Sequence, residues 1–367
     1  MEDLVNDVLN AGLDVPNSPT AAAAAPPHAH SAALDSCLRI LVQLTHDDDI
    51  VDTMVQDPSV LGRLSAWLTY PENVLSGPGV DLAVCAALCL GNMARNDANS
   101  TLLVQQHRFA RHVAHLLEAV KNAKVSMAAL SALRHFAMPM ENKAVLGQLA
   151  VTETVMPSML SPIPDVSLTA IVIHRQLASE ERNMRTIIMS KHQKMNQTAL
   201  EVALAAILKH SEQNAIKCEV GRLVGVLAKT AARSGAKDML DALATTAMSP
   251  LWHILQLPYA VVWNEAIVAL TLLLTQSPKA SEVAVPVTFA ADVSGVFAAS
   301  NSLEFRCNAA QLLVIIQSLH PEWKGKFEEV RTKALNELKS SPADTTPEDP
   351  ERREIAAKYV GLLTHVE

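Results

Sequence analysis

The chain has 367 residues, 49% of them hydrophobic and 4% aromatic, with a formal net charge of −8. No apolar run reaches the roughly 18 residues a membrane span needs, and the start MEDLVNDVLN is acidic where a secretory signal is basic. The acid excess sits in the first 120 residues, 14 Asp and Glu against 5 Lys and Arg; such a field repels nucleic acid and anionic membrane and attracts basic segments.

In chain order, residues 1–33 read as a tail: a short helical stretch through Leu13, then an Ala run between Pro16 and Pro27. From 34 to about 335 an apolar helical segment rich in small residues returns seven times. Equivalent positions are Gln43, Asn92, His135, Gln176, Lys229, Leu272 and Ile316, spaced by 49, 43, 41, 53, 43 and 44. The copies AVCAALCLGNMA (83–94), AALSALRHFA (128–137), SLTAIVIHRQLA (167–178) and NEAIVALTLLL (264–274) place apolar residues at i, i+3, i+4 and i+7, with Ala, Gly or Ser between them. A helix of this kind buries its stripe only against a neighbour. A period of about 40 to 47 is that of armadillo and HEAT units, whereas tetratricopeptide and ankyrin repeats run at about 33 or 34. The expected fold is all-α, an armadillo-type α-solenoid superhelix of about seven repeats.

Two intervals are long. One surplus falls at the Gly/Pro cluster Ser76 to Val80, the other at Glu180 to Gln197, charged and helical in pattern. Residues 336–367 are expected to form a linker and a capping helix, with Asp349 as N-cap, Pro350 at its first position and Ile355, Tyr359 and Leu362 as a stripe. Such a helix either covers the last repeat or is offered to a partner.

Reactive signatures are missing: there is no G-x-S-x-G, no phosphate-binding G-x-x-x-x-G-K-[ST], no strand-linked G-x-G-x-x-G and no H-E-x-x-H. Cys37, Cys85, Cys89, Cys218 and Cys307 are expected to be reduced packing residues in an intracellular compartment. Cys85 and Cys89 share a helix face without a second ligand pair, and His107, His112 and His115 lack a matched carboxylate. No metal or cofactor is expected. The Trp-to-Asn ladder of nuclear-import carriers is also missing, since Trp67, Trp252, Trp263 and Trp323 are followed four residues on by Pro71, Gln256, Ile267 and Phe327.

The string Gly91-Asn92-Met93-Ala94-Arg95-Asn96-Asp97-Ala98-Asn99, followed one repeat later by ALSALRHFAMP (129–139) and by Asn142-Lys143-Ala144, resembles consecutive armadillo repeats of the SmgGDS family, GDP dissociation stimulators of small GTPases. A weaker match continues through Arg222-Leu223, Trp263-Asn264-Glu265-Ala266 and Phe305-Arg306-Cys307-Asn308. Family members commonly carry about a dozen repeats, and this chain matches chiefly their C-terminal half.

The resemblance implies binding of Rho- and Ras-type GTPases through the concave groove, with GDP release driven by preference for the nucleotide-free state rather than by side-chain chemistry on a substrate. Asn92 matches the family's groove asparagine; groove contact and an internal hydrogen bond between repeats are both open to it. His135 replaces it in the next copy. Arg95, Asn96, Asp97, Arg134, Arg175 and Gln176 complete the groove candidates, and Asp47, Asp48 and Asp49 form the acidic patch that would receive a polybasic, prenylated tail. The implied location is the cytosol, with endoplasmic reticulum or mitochondrial association allowed by the family. The competing function is a scaffold that binds another protein's helix or peptide.

Overall fold

The computed structural model describes residues 27–69, 78–257, 259–283, 285–286, 288–299, 303–340, 358 and 360–361. Their regular structure is helical, apart from one isolated antiparallel bridge between Lys191 and Thr198. Residues 1–26 of the expected tail and the expected cap at Asp349 and Pro350 lie outside the described residues, as does Ser76. The chain divides into two compact units, residues 1–183 and 184–367.

In the first unit α1 (Pro27–Leu44) is followed by three-helix groups. The first group is α2 (Asp48–Gln56), α3 (Pro58–Leu68) and α4 (Pro78–Met93). The second is α5 (Asp97–Thr101, extended by a wider turn to Gln106), α6 (Phe109–Ala119) and α7 (Ala123–Phe136). The third is α8 (Met140–Gln148), α9 (Val151–Val155, extended by a tighter turn to Leu160) and α10 (Pro164–Leu177). α11 (Glu181–Met189) carries the chain across the division. The second unit continues with α12 (Ala199–Lys209) and α13 (Asn214–Ser234), then α14 (Lys237–Thr246), α15 (Met248–Leu255) and α16 (Ala260–Gln276). It ends with α17 (Phe289–Ala299), α18 (Leu303–Leu319) and α19 (Lys324–Ser340).

Every position used to align the repeats falls on the helix that closes a group: α1, α4, α7, α10, α13, α16 and α18. In the first four copies it is the residue just before the helix's last. At the seventh the register shifts by one. Ile316 is fully buried, and Ile315 is the residue left partly exposed, as Leu272 is one copy earlier. Two further boundaries differ from expectation: α1 reaches back to Pro27, inside the stretch read as tail, and the array's expected end at 335 falls within α19. Phe327 of α19 is buried edge-on against Phe289 of α17, so this helix packs on the array. The charged insertion at Glu180 to Gln197 is helical only to Met189. A bridged loop then turns through left-handed Asn196 into α12, which starts with a capping box between Thr198 and Glu201.

Small residues let the closing helices approach. A Cβ on Gly91 would lie 3.4 Å from the Ala132 backbone, so α4 meets α7 nearly backbone to backbone. In the first four copies the turn after the closing helix is three residues long, and in three of them the side chain of its last residue caps the next helix. Asp47 accepts from the Ile50 amide, Asn96 from the Asn99 amide, and Glu180 from the amides of Arg182 and Asn183.

Three residues beyond each of these starts, in the second, third and fourth copies, stands a buried asparagine. Asn99 donates to Asp52 (3.1 Å), Asn142 to Ser100 Oγ (3.1 Å) and the Phe136 carbonyl (3.0 Å), and Asn183 to the Lys143 carbonyl (2.8 Å). Each amide reaches into the preceding group. Gly147 leaves room for this, because a Cβ there would stand 1.9 Å from Asn183 Oδ1.

His174 is also fully buried, its ring nitrogens 2.8 Å from the Ala170 carbonyl and 3.0 Å from the Thr152 carbonyl. Burial lowers its pKa, and outweighs the two carbonyls and Glu153, which act in the other direction.

Two outcomes follow from this arrangement. Asn142→Ala strands the acceptors it served and is expected to lower unfolding free energy by about 1–3 kcal/mol in urea titrations; Gly147→Ala, which displaces Asn183, should act in the same direction, whereas no loss in either variant would refute the junction role. For His174 the unfolded chain binds the proton more readily than the folded one, so its contribution is complete above the ordinary imidazole value of about 6.5 and is lost as pH falls below it. The urea midpoint should therefore drop between about pH 7 and about pH 5, and His174→Gln should flatten part of that drop.

Candidate protein-binding site

Asn92, one residue from the end of α4, donates its amide to Thr45 Oγ1 at 2.9 Å. Of the two uses the sequence left open, the structure shows the hydrogen bond between repeats. Arg95 lies in the turn beyond. Its Nε donates to the Asn92 carbonyl (3.2 Å), and its Nη2 faces the carbonyls of Thr45 (3.3 Å) and His46 (3.0 Å) and Asp48 Oδ1 (3.3 Å). The guanidinium therefore covers the carbonyl end of α1, where a cation is favoured by the helix dipole. Asn96 caps α5 and Asp97 stands exposed in its first turn, so both complement a helix start.

In the next copy, Arg134 is exposed and its Nη2 lies 3.2 Å from His135 Nε2. The other ring nitrogen of His135, Nδ1, is buried without a hydrogen-bond partner. Burial, with help from Arg134, lowers the pKa of this ring, so it favours the neutral form. Gln176 holds the same place on α10, and its Oε1 is likewise buried and unpartnered. Arg175 precedes it, partly exposed.

The three acids divide in the same way. Asp47 is spent on the start of α2, while Asp48 and Asp49 are exposed in its first turn and Asp48 faces Arg95. The structure therefore joins Asn92, Arg95 and Asp48 at one junction and pairs Arg134 with His135. It does not bring the acids and the downstream groove candidates into one cluster of contacts.

Polar residues of the later closing helices, named in the weaker match but not as site candidates, pair across copies. On α13, Arg222 bonds Glu265 of α16 (2.9 Å) and Glu219 of its own helix (2.6 Å), carboxylates that raise its pKa; Asn308 of α18 donates to Asn264 of α16 (3.0 Å). The shared spacing of Arg222, Glu265 and Asn308 was the available signal.

Among the described residues no group of three His, Cys, Asp or Glu is placed to hold a metal ion, and no helix is long and apolar enough to cross a membrane. Cys85 and Cys89 are buried with their sulfurs 3.9 Å apart, and the neighbouring Cys85 together with burial raises the Cys89 thiol. Ser65 Oγ lies 3.3 Å from His112 Nδ1. Burial and the nearby Arg111 and His115 lower that histidine, and among the described residues no carboxylate bonds its other nitrogen.

No family model matches the chain. Among curated proteins it is similar to the Rap1 GTPase-GDP dissociation stimulator 1-B of Xenopus laevis, 28% identical over 229 residues, which cover 61% of this chain and 35% of that protein. It is similarly related to stimulator 1-A of the same organism, 27% identical over the same shares. The chain thus spans about a third of the length of the curated relatives it matches. Among solved structures it resembles an engineered protein (TM-score 0.64, 16% identity, 98% of this chain and 88% of that one). It also resembles a chain from a study of the cadherin and β-catenin interaction (TM-score 0.67, 13% identity, 98% and 60%) and a designed armadillo repeat protein in complex with the peptide (KR)4 (TM-score 0.50, 14% identity, 73% and 99%). The fold is the all-α armadillo type, and the sequence relatives are Rap1 GTPase-GDP dissociation stimulators.

Proposed function

We propose that this chain binds small GTPases of the Rho and Ras type through the faces of its closing helices and promotes release of GDP. The observation that carries the reading is the similarity to Rap1 GTPase-GDP dissociation stimulators over 61% of the chain, within an armadillo array. The mechanism is linkage. A surface that binds the nucleotide-free GTPase more tightly than the GDP form weakens GDP by the same factor, and a coupling of about 1–3 kcal/mol corresponds to a 5- to 150-fold shift. Groove contact falls to Arg134, His135, Arg175 and Gln176, since Asn92 and Arg95 hold the first junction and Asn96 and Asp97 serve a helix start. Asp48 and Asp49, exposed at the start of α2, take the lysine-rich part of a prenylated tail in this reading, while Asp47 remains a cap. The cytosol is the proposed location.

A scaffold that binds without stimulating exchange is the second reading. The internal use of Asn92 and Arg95 favours it, because two family-like residues are thereby committed to the fold.

Release of a fluorescent GDP analogue from Rap1 and from a Rho-type GTPase, each with and without its basic tail, separates the two. Acceleration is expected, greater with the tail and reduced by added salt, since exposed charges are screened over about 8 Å at physiological ionic strength. Asp48→Lys with Asp49→Lys should remove the tail's advantage and leave the tail-free rate unchanged. A stable complex with an unaltered release rate establishes the scaffold instead.

A further inference from the structure

Away from the closing helices, the second helix of the second group carries a cationic stripe that its neighbours lack. Between Asp97 and Glu118 the chain has no acid, yet it holds His107, Arg108, Arg111, His112 and His115. Arg108 and Arg111 are exposed and stand at i and i+3 of one line along α6, which His115, itself engaged within the chain, continues at i+7. His107 is exposed at the head of the line, tilted against Phe109 with ring centroids 6.3 Å apart. His112 borders the line toward α3, where its Nδ1 lies 3.3 Å from Ser65 Oγ.

The fold does not require these side chains. The buried positions of α3, α6 and α9 align, and the places of Arg108, Arg111, His112 and His115 are held by Ser59, Gly62, Arg63 and Ala66 on α3 and by Ala150, Glu153, Thr154 and Pro157 on α9. A Cβ on Gly62 would meet nothing within 4 Å, so the place of Arg111 needs no side chain for packing. Ala150 shares the left-handed backbone of Arg108 (φ 55° and 57°), so that corner requires a conformation and not a cation. The arginines gain nothing in return. Among the described residues neither the Arg108 nor the Arg111 side chain has a hydrogen bond or a carboxylate partner, and two like charges at this spacing destabilise a helix. Burial, then Arg111 and His115, disfavour the charged form of His112. The acids that flank the line each accept from a hydroxyl: Glu118, at its foot, from Thr154 of α9 (2.9 Å), and Glu153 of α9 from Thr152 (2.6 Å). Repulsion kept without an internal counter-charge marks a surface that meets its counter-charge from outside.

Scale decides what that occupant is. The first unit holds 19 acidic and 11 basic side chains, so a membrane or a nucleic acid that spans it meets net negative charge. A group held within a Debye length, about 8 Å, meets the stripe alone. The line from Arg108 to His115 is about 10 Å long, the reach of about three residues of extended chain. We propose that this stripe binds a short acidic segment of a partner protein, its carboxylates paired with Arg108 and Arg111. Guanidinium and carboxylate pair in a bidentate fork, and the His107 ring adds an N–H donor at the head of the line. The site is independent of the GTPase reading, because it lies on a second helix and takes a segment opposite in charge to a basic tail.

The test is fluorescence anisotropy of a labelled (DE)4 peptide titrated with the full-length chain at low and at physiological salt. Saturable binding that salt weakens is expected. Affinity should fall at least about tenfold against Arg111→Glu, which sets like charges against the peptide, and in the same direction against Arg108→Ala, the residue the third group carries at that place. Both variants should melt no lower than the parent, because they relieve repulsion within α6; a structural role would lower the melting temperature instead. Arg39→Glu makes the same change of net charge at a residue paired with Asp35 and should leave the affinity unchanged. Absence of saturable binding, equal affinity in parent and folded variants, an equal loss with Arg39→Glu, or a lowered melting temperature would overturn the proposal. So would phosphatidylserine vesicles that bind the parent but not Arg111→Glu while (DE)4 binds neither, which assigns a lipid surface. A self-associated chain, detected by sedimentation, that Arg111→Glu disperses also overturns it, because the acids would then be those of a second copy.

Discussion

Each three-helix group of this chain makes an apolar stripe that only the next group covers, and the structure depends on how that junction is closed. Hydrophobic burial supplies most of the strength, but it is non-directional and tolerates sliding. Direction comes from two other sources. Glycine and alanine on facing helices, as at Gly91 and Ala132, admit only a narrow range of approach because the backbones nearly touch. The buried amides of Asn99, Asn142 and Asn183 each find acceptors in the preceding group at one register only. Moving the junction by one residue leaves a buried amide without its partner, a penalty comparable to a substantial fraction of a domain's net stability.

The same economy governs the polar residues at the surface. Arg95 is the clearest case: one guanidinium serves three carbonyls and a carboxylate, two of the carbonyls in the turn after α1, the third on Asn92 and the carboxylate on Asp48 at the start of α2. Removing that guanidinium from its place to meet a partner would expose the carbonyl end of α1, so Arg95 is better suited to hold the platform than to leave it. Asn92 is bound in the same way through Thr45. In the next two copies the corresponding residues are less committed: Arg134 is exposed beside His135 Nε2, and His135 Nδ1 and Gln176 Oε1 are buried without hydrogen-bond partners.

Much of the architecture was legible in the sequence because a repeat turns weak local preferences into a periodic signal. Small residues between leucines marked the closing helices, and the alignment placed the first four anchors at the same point before a helix end. It slipped by one at Ile316, where Val314, Ile315 and Ile316 are all apolar and composition cannot say which of them faces inward. The asparagine junctions were hidden for a different reason. Asn99 and Asn142 stood in quoted strings, but a sequence gives an amide's identity and not its acceptor, and Ser100, Phe136 and Lys143 become acceptors only once the groups stack. The same applies to Asp47, which reads as one of three equal acids until the helix start claims it.

Charge on this chain acts at two ranges. Residues 1–183 hold 19 acidic and 11 basic side chains, whereas residues 184–367 hold 19 of each, so the long-range field comes from the first unit and draws in basic partners. Within a Debye length that average no longer governs. A group beside Arg134 meets a local cation whose neighbour His135 is an imidazole held toward its neutral form. Net charge therefore bears on how fast a charged group approaches, and a local cation such as Arg134 on how a contacting group is posed. Salt separates the two contributions. It weakens the steering first, while a guanidinium–carboxylate pair partly shielded by apolar neighbours keeps more of its strength.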